Sequence, residues 1–166
     1  MGIRDRSPSA IKIVATSGYL QALAEVICGD GVPVTGVHEG SRPSAEAIAS
    51  MMDADLILVG GAGDPAWVRA ASWPRHRIVV TGEAYEDRWI ELKGEDHQHG
   101  PQGQQQRGMM VAQTWMDPLL AIVQTRTVSR ALAEAMPEHA LAIGDRGVAW
   151  EAELAHVDRE LKAIVT

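Results

Sequence analysis

Phenylalanine is absent from this chain and tyrosine occurs only twice, so apart from five tryptophans the interior must be filled by aliphatic residues and methionine. Cysteine occurs once, at Cys28, which excludes an intramolecular disulfide and leaves the redox compartment undetermined. No run of eighteen apolar residues is present, so the sequence offers no candidate for a membrane-spanning helix. Cations are in deficit. Fifteen Lys and Arg against 22 Asp and Glu give a net charge of -7, with no basic stripe of the kind a phosphate backbone requires, and nucleic acid is not an expected partner. The motifs GxSxG, GxxxxGK[ST], HExxH and CxxC are also missing, which removes the readings attached to them.

What remains is ordinary globular material. At 166 residues, with 46% hydrophobic and 22% charged residues, the chain suits one domain with a sizeable core. Residues 1–10, MGIRDRSPSA, differ from the patterned sequence after them and read as a non-native or disordered segment. They lack the apolar core of a signal peptide, but a non-native start says nothing about export.

Order is expected from residue 11. Ile11–Thr16 is rich in β-branched residues and predicts a strand, and Ser17 caps a helix over Tyr19–Cys28 that Gly29-Asp30-Gly31 ends. Val32–Val37 predicts a second strand, and Ser44 starts a helix over Ala45–Met52. The continuous apolar run Leu56–Val59 fits a strand covered on both faces. A glycine turn and a short helix, Pro65–Ala71, lead to a fourth strand at Arg77–Thr81. This alternation predicts an α/β fold, a four-stranded parallel sheet flanked by helices. Residues 83–108 are polar and predict a long mobile loop. Asp117-Pro118 then opens a helix to about Met136, and a second helix runs from Pro137 to the end, weakened in its middle by Gly144 and Gly147.

Few side chains suggest chemistry. His38 follows the second strand, at the carboxyl end of a parallel sheet, where such folds bind ligands. His97 and His99, beside Asp96, offer imidazoles that a zinc ion could use from a loop. His76, His139 and His156 have no partners at ligand spacing and read as surface residues, and Cys28 reads as a small buried hydrophobe. The GGAGDP turn has the wrong spacing for a dinucleotide loop, and Asp64 would repel a phosphate. A small enzyme pairing His38 with Glu39 or Asp64 would lack a nucleophile and an oxyanion device.

In order, IKIVATSGYLQALAEVICGD, RPSAEAIASMMDADLILVGGAGDPAW and TWMDP resemble the amino-terminal half of the zinc and manganese substrate-binding proteins of ABC transporters. The acidic, His-containing loop resembles, in reduced form, the His-rich loop of zinc members. The resemblance implies one lobe of a two-lobe metal-binding receptor, residues 11–117, followed by a helical segment, 118–166, that includes the backbone helix between lobes. It implies that the second lobe is absent, and that the last helix exposes an apolar face meant for it. It places a first metal ligand at His38 and a second position at Gln113, where the family carries His. Asp96, His97 and His99 become auxiliary loop contacts. Zinc(II) or manganese(II) is then the transported ligand, bound weakly or not at all by one lobe. The implied protein is an extracytoplasmic or periplasmic monomer, not an enzyme, whose partner is an ABC permease in the membrane. Gln113 leaves a divergent receptor that has lost its metal as the alternative.

Overall fold

The computed structural model describes residues 11–38, 42–61, 64, 67–68, 72–92, 109–110 and 113–165. Four short strands, β1 (Ile13–Ala15), β2 (Val34–Gly36), β3 (Leu56–Val59) and β4 (Ile78–Val80), form one parallel sheet in the order β2-β1-β3-β4. The strand cores match the expected runs, trimmed by a residue or more at most ends. Ile13 pairs with Val34 on one side and Leu56 on the other, while Ile57 pairs with Ile78.

Alternation along the strands divides the core between two faces. Ile13, Ala15, Leu56 and Leu58 point to one side, against Leu20, Leu23 and Ile27 of α1 (Gly18–Cys28), Val128 and Leu132 of α3 (Pro118–Ala135) and Ile143 of α4 (Ala140–Val165). Val14, Ile57 and Val59 point to the other, against Ala47 and Met51 of α2 (Ala45–Asp53) and against Val68 and Trp73. Both faces are covered, which is why β3 can be apolar at every position.

The caps are those the sequence suggests. The Ser17 side chain accepts from Leu20 N at 3.3 Å, and Ser44 accepts from Ala47 N at 3.1 Å. Asp117 accepts from Leu119 N at 2.8 Å, with Pro118 in the first turn of α3. Gly29 closes α1 at φ 75°, and the Arg146 guanidinium reaches across from α4 to the carbonyls of Ile27 (2.6 Å) and Cys28 (2.5 Å). A cation there answers the partial negative charge of a helix end.

One expectation needs correction. Residues 83–92, assigned to a loop by their polarity, fold as a 3-10 segment, Glu83–Arg88, and a two-residue strand, β5 (Glu91–Leu92), paired antiparallel with β6 (Met109–Met110). The cause is aromatic. Tyr85 is buried within this polar stretch, and its ring anchors the chain. The rest of the loop, 93–108, lies outside the described residues, as do 1–10. The long terminal helix forms as expected. α4 is continuous through both glycines, and Gly147 is buried because a Cβ there would collide with Ser129 of α3. Of the helix expected over Pro65–Ala71, Trp67 and Val68 are described, and both are helical.

One stripe of α4 changes environment along its length. Ile143, Gly147, Trp150, Leu154, Val157, Leu161 and Ile164 recur at the three- and four-residue steps of one helical face. Ile143 is fully buried, Trp150 and Leu154 are half-buried, Leu161 is 46% exposed and Ile164 79%. The reason is length: at 1.5 Å per residue α4 runs about 39 Å against about 27 Å for α3. The antiparallel pair, fixed by Arg126 Nε donating to Glu151 Oε2 at 2.8 Å, therefore leaves the end of α4 without cover from α3. Among the described residues no helix is long and apolar enough to cross a membrane.

Candidate functional site

The carboxyl edge of a parallel sheet gathers the chain segments that leave the strands. Here the ladder continues beyond the strands and fixes that edge. Thr16 N donates to Leu58 O at 3.0 Å, Val37 N to Ala15 O at 2.8 Å, Thr81 N to Val59 O at 2.8 Å and Gly82 N to Gly60 O at 3.1 Å. The residues that follow β1, β2, β3 and β4 are thereby held in one row.

His38 stands in this row, exposed, one residue after the buried Val37. Its imidazole folds back over Gly36 and toward the start of α1. A Cβ at Gly36 would lie 2.5 Å from Nε2 and 2.7 Å from Cε1 of His38, and would collide with Oε1 of Gln21. A Cβ at Gly18 would lie 3.7 Å from Cε1 of His38. Gly36 therefore leaves the space that the imidazole and the amide oxygen share. The amide is oriented from its other end, since Gln21 Nε2 donates to Glu25 Oε1 at 3.0 Å and to Val34 O at 3.3 Å.

Gln113 is exposed as the residue before the 3-10 turn Thr114–Met116, and its carbonyl accepts from Met116 N at 3.0 Å. The turn is tied down by the only two tyrosines. Tyr85 Oη and Thr114 Oγ1 share a hydrogen bond of 2.9 Å, and the Tyr19 ring stacks on Trp115 at 5.0 Å between centroids and 10° between planes. Burial raises the pKa of both phenols, so both are protonated at neutral pH. Beneath them Gln124 Nε2 donates to Thr81 Oγ1 at 3.1 Å, and the Thr81 hydroxyl donates to Val59 O at 3.0 Å, which fastens α3 to the end of β4.

The first turn of α1 is where these parts meet. Gly18 adjoins His38, and its neighbour Tyr19 carries Trp115, two residues beyond Gln113. The structure thus brings the segments of His38 and Gln113 to one edge. Asp96, His97 and His99, and Glu39 as well, lie outside the described residues. Among the described residues no three His, Cys, Asp or Glu side chains converge. Asp64 has a local role: Oδ1 accepts from Gly60 N at 3.2 Å and Oδ2 from Gly61 N at 2.6 Å, closing the glycine turn in which Gly61 adopts φ 92°. A Cβ at Gly61 would meet the Trp89 ring at 2.8 Å. His76, His139 and His156 are exposed, and Cys28 is buried.

Gln21, Tyr19 and Tyr85 escape a reading by motif. Gln21 sits between apolar helix positions as an ordinary polar residue, and Tyr85 is hidden in a charged stretch. The scarcity of phenol rings is the one signal that marks the tyrosines.

Comparison with known proteins identifies the fold and the family. No curated protein matches the chain. Among solved structures, it is similar to a zinc-bound variant of AdcAII from Streptococcus pneumoniae, with a TM-score of 0.74 at 19% identity over 93% of this chain and 58% of that one. It is similar to a zinc-bound ZnuA carrying an internal deletion, with a TM-score of 0.73 at 21% identity over 94% of this chain and 58% of the other. A third is the laminin-binding protein of Streptococcus agalactiae, described as a bifunctional protein with adhesin and metal transporting activity, with a TM-score of 0.68 at 19% identity over 92% and 55%. The chain spans somewhat over half the length of these relatives, and at such identities the likeness establishes the fold. The family is fixed by sequence: the pattern described as zinc-uptake complex component A, periplasmic, matches residues 13–166, from the first strand to the end of the last helix, and the chain belongs to that family.

Proposed function

We propose that the chain forms one lobe of an extracytoplasmic receptor that binds zinc or manganese between two lobes and delivers it to the membrane permease of an ABC transporter. The observation that carries this reading is the exposed imidazole of His38 at the carboxyl edge of the sheet, in a chain whose family match begins at β1. Imidazole nitrogen suits zinc, and a neutral amide oxygen such as that of Gln113 is a harder donor of low basicity. Two such groups do not make a four-coordinate site. Further donors come from the second lobe of the intact protein, which the uncovered stripe of α4 through Val157, Leu161 and Ile164 is suited to meet. Asp96, His97 and His99 act as auxiliary contacts from the loop. The chain has no catalytic role.

Calorimetry with zinc tests this. The 166-residue chain binds weakly, with one component lost on His38→Ala and a separate one lost when residues 95–108 are deleted. Tight one-to-one binding that survives the deletion, or binding indifferent to His38→Ala, would overturn the two-lobe reading. Gln113 supports a second reading, a receptor that has lost its metal and takes another ligand or a protein partner. Genes for a permease and an ATPase beside this one favour transport; their absence, with a second lobe devoid of ligating residues, favours the divergent receptor.

A further inference from the structure

Seven aromatic residues serve the chain, and three of them converge on a turn of three residues. Tyr19 also packs against the core cluster of Ile13, Leu58 and Leu132, whereas Tyr85 and Trp115 belong to neither of the two main apolar clusters. Tyr85 is 2% exposed, although its neighbours Ala84 and Glu86 face solvent. It is seated against Gly82, where a Cβ would come within 3.0 Å of its Oη. Its hydroxyl reaches not back into its own segment but across 29 positions of sequence to Thr114. Tyr19 approaches from the first turn of α1 and lays its ring flat on Trp115. Each tyrosine therefore holds a different residue of one short turn, and that turn begins at Gln113 and ends at the cap of α3.

We propose that Tyr19 and Tyr85 are positioning residues of the cation site, a latch that holds the 113–117 segment at the sheet edge facing His38. The proposal rests on the reading of that edge as a metal site. Its physical content is preorganisation: a donor carried on a fixed turn binds without the cost of ordering the turn. Two independent fastenings of different chemistry, one hydrogen bond and one ring stack, fix the turn in both position and rotation.

The test separates the latch from the site. Amide exchange is measured at Met116 and Asp117, whose N–H groups donate within the turn at 3.0 and 3.2 Å, in the unaltered chain and in Tyr85→Phe, Thr114→Val, Thr114→Ser and Tyr19→Leu. Loss of one net hydrogen bond accelerates exchange about five-fold in Tyr85→Phe and equally in Thr114→Val, and the double variant is no faster. Thr114→Ser, which keeps the hydroxyl, restores the unaltered rate. Loss of the stack gives a similar factor in Tyr19→Leu, while the Val37 and Thr81 amides of the sheet edge do not change. Zinc titration followed by NMR then shows the dissociation constant rising as the closed-turn population given by the exchange rates falls, most in the variant whose turn opens most. Unchanged exchange in Tyr85→Phe and Thr114→Val would overturn the latch, whatever zinc does. A zinc constant that does not follow the closed-turn population across the variants would overturn the positioning role and leave the metal site standing. An unaltered chain that shows no zinc response at all would overturn the metal reading and the positioning role with it, while the exchange data still decide whether the turn is latched.

Discussion

Replacing Gly36 by alanine separates the stability of this lobe from the arrangement of its edge. Gly36 sits in β2 with ordinary negative φ, so alanine meets no backbone strain and removes conformational freedom from the unfolded chain, a gain of about 0.4–1 kcal/mol. The three atoms nearest to such a methyl group are the far ends of two flexible side chains, His38 and Gln21. Both can swing outward, because His38 is exposed and Gln21 half-buried. The cost is the pair of bonds from Gln21 to Val34 O and Glu25, together about 1 kcal/mol at this exposure. The two terms nearly cancel. Thermal unfolding of Gly36→Ala therefore stays within about 4 °C of the unaltered chain, since about 1 kcal/mol corresponds to a shift of about 2–4 °C in a domain of this size. The His38 ring resonances move, those of His76, His139 and His156 do not, and zinc affinity falls. A fall of 10 °C or more would refute the reasoning, because it would mean that the methyl group strikes the sheet itself. Unmoved His38 resonances would refute the packing of the imidazole over Gly36.

Three further outcomes follow from the helix contacts. Arg146→Met keeps the aliphatic stem but loses the charged bonds to the Ile27 and Cys28 carbonyls, and should lower stability in urea by about 2–3 kcal/mol with the m-value unchanged. Gly147→Ala, normally favourable inside a helix, should instead destabilise by about 1–3 kcal/mol because its methyl group collides with Ser129, and Ser129→Gly should recover most of the loss. Burial pushes the Cys28 thiol from its ordinary 9.0 up to about 11, with Arg146 pulling weakly the other way. A raised thiol pKa favours the protonated form in the folded state, so this contribution is intact below pH 9 and is lost as pH rises toward about 11. A thiol reagent at pH 8 should accordingly react only at the rate of unfolding, and rapid reaction of the folded chain would contradict the burial.

Much of this architecture is legible in the sequence because its signals are local. Ser17, Ser44 and Asp117 cap the helices they precede, and LILV reads as a doubly covered strand because each of its residues is apolar. The misread parts depend on contacts distant in sequence. Tyr85 orders residues 83–92 through Thr114, and a composition that is polar on average hides one ring that decides the outcome. By sequence Gly147 only weakens a helix that continues through it, and the close approach to Ser129 of α3 that it permits has no local signal. The candidate edge is partly legible for the same reason. His38 is placed by the end of a strand, whereas Gln21 matters only because the parallel pairing of β1 and β2 brings Gly36 beneath α1.

The central claim is that the sheet edge carrying His38 and the 113–117 turn receives a divalent cation, and zinc titration followed residue by residue by NMR tests it most directly. The account predicts that His38 and residues 113–117 shift together with one weak, saturable constant, that His38→Ala abolishes the shift at the turn as well as at the histidine, and that deleting residues 95–108 leaves both in place. Shifts confined to the segment around His97 and His99, with His38 and the turn unmoved at saturating zinc, would contradict it.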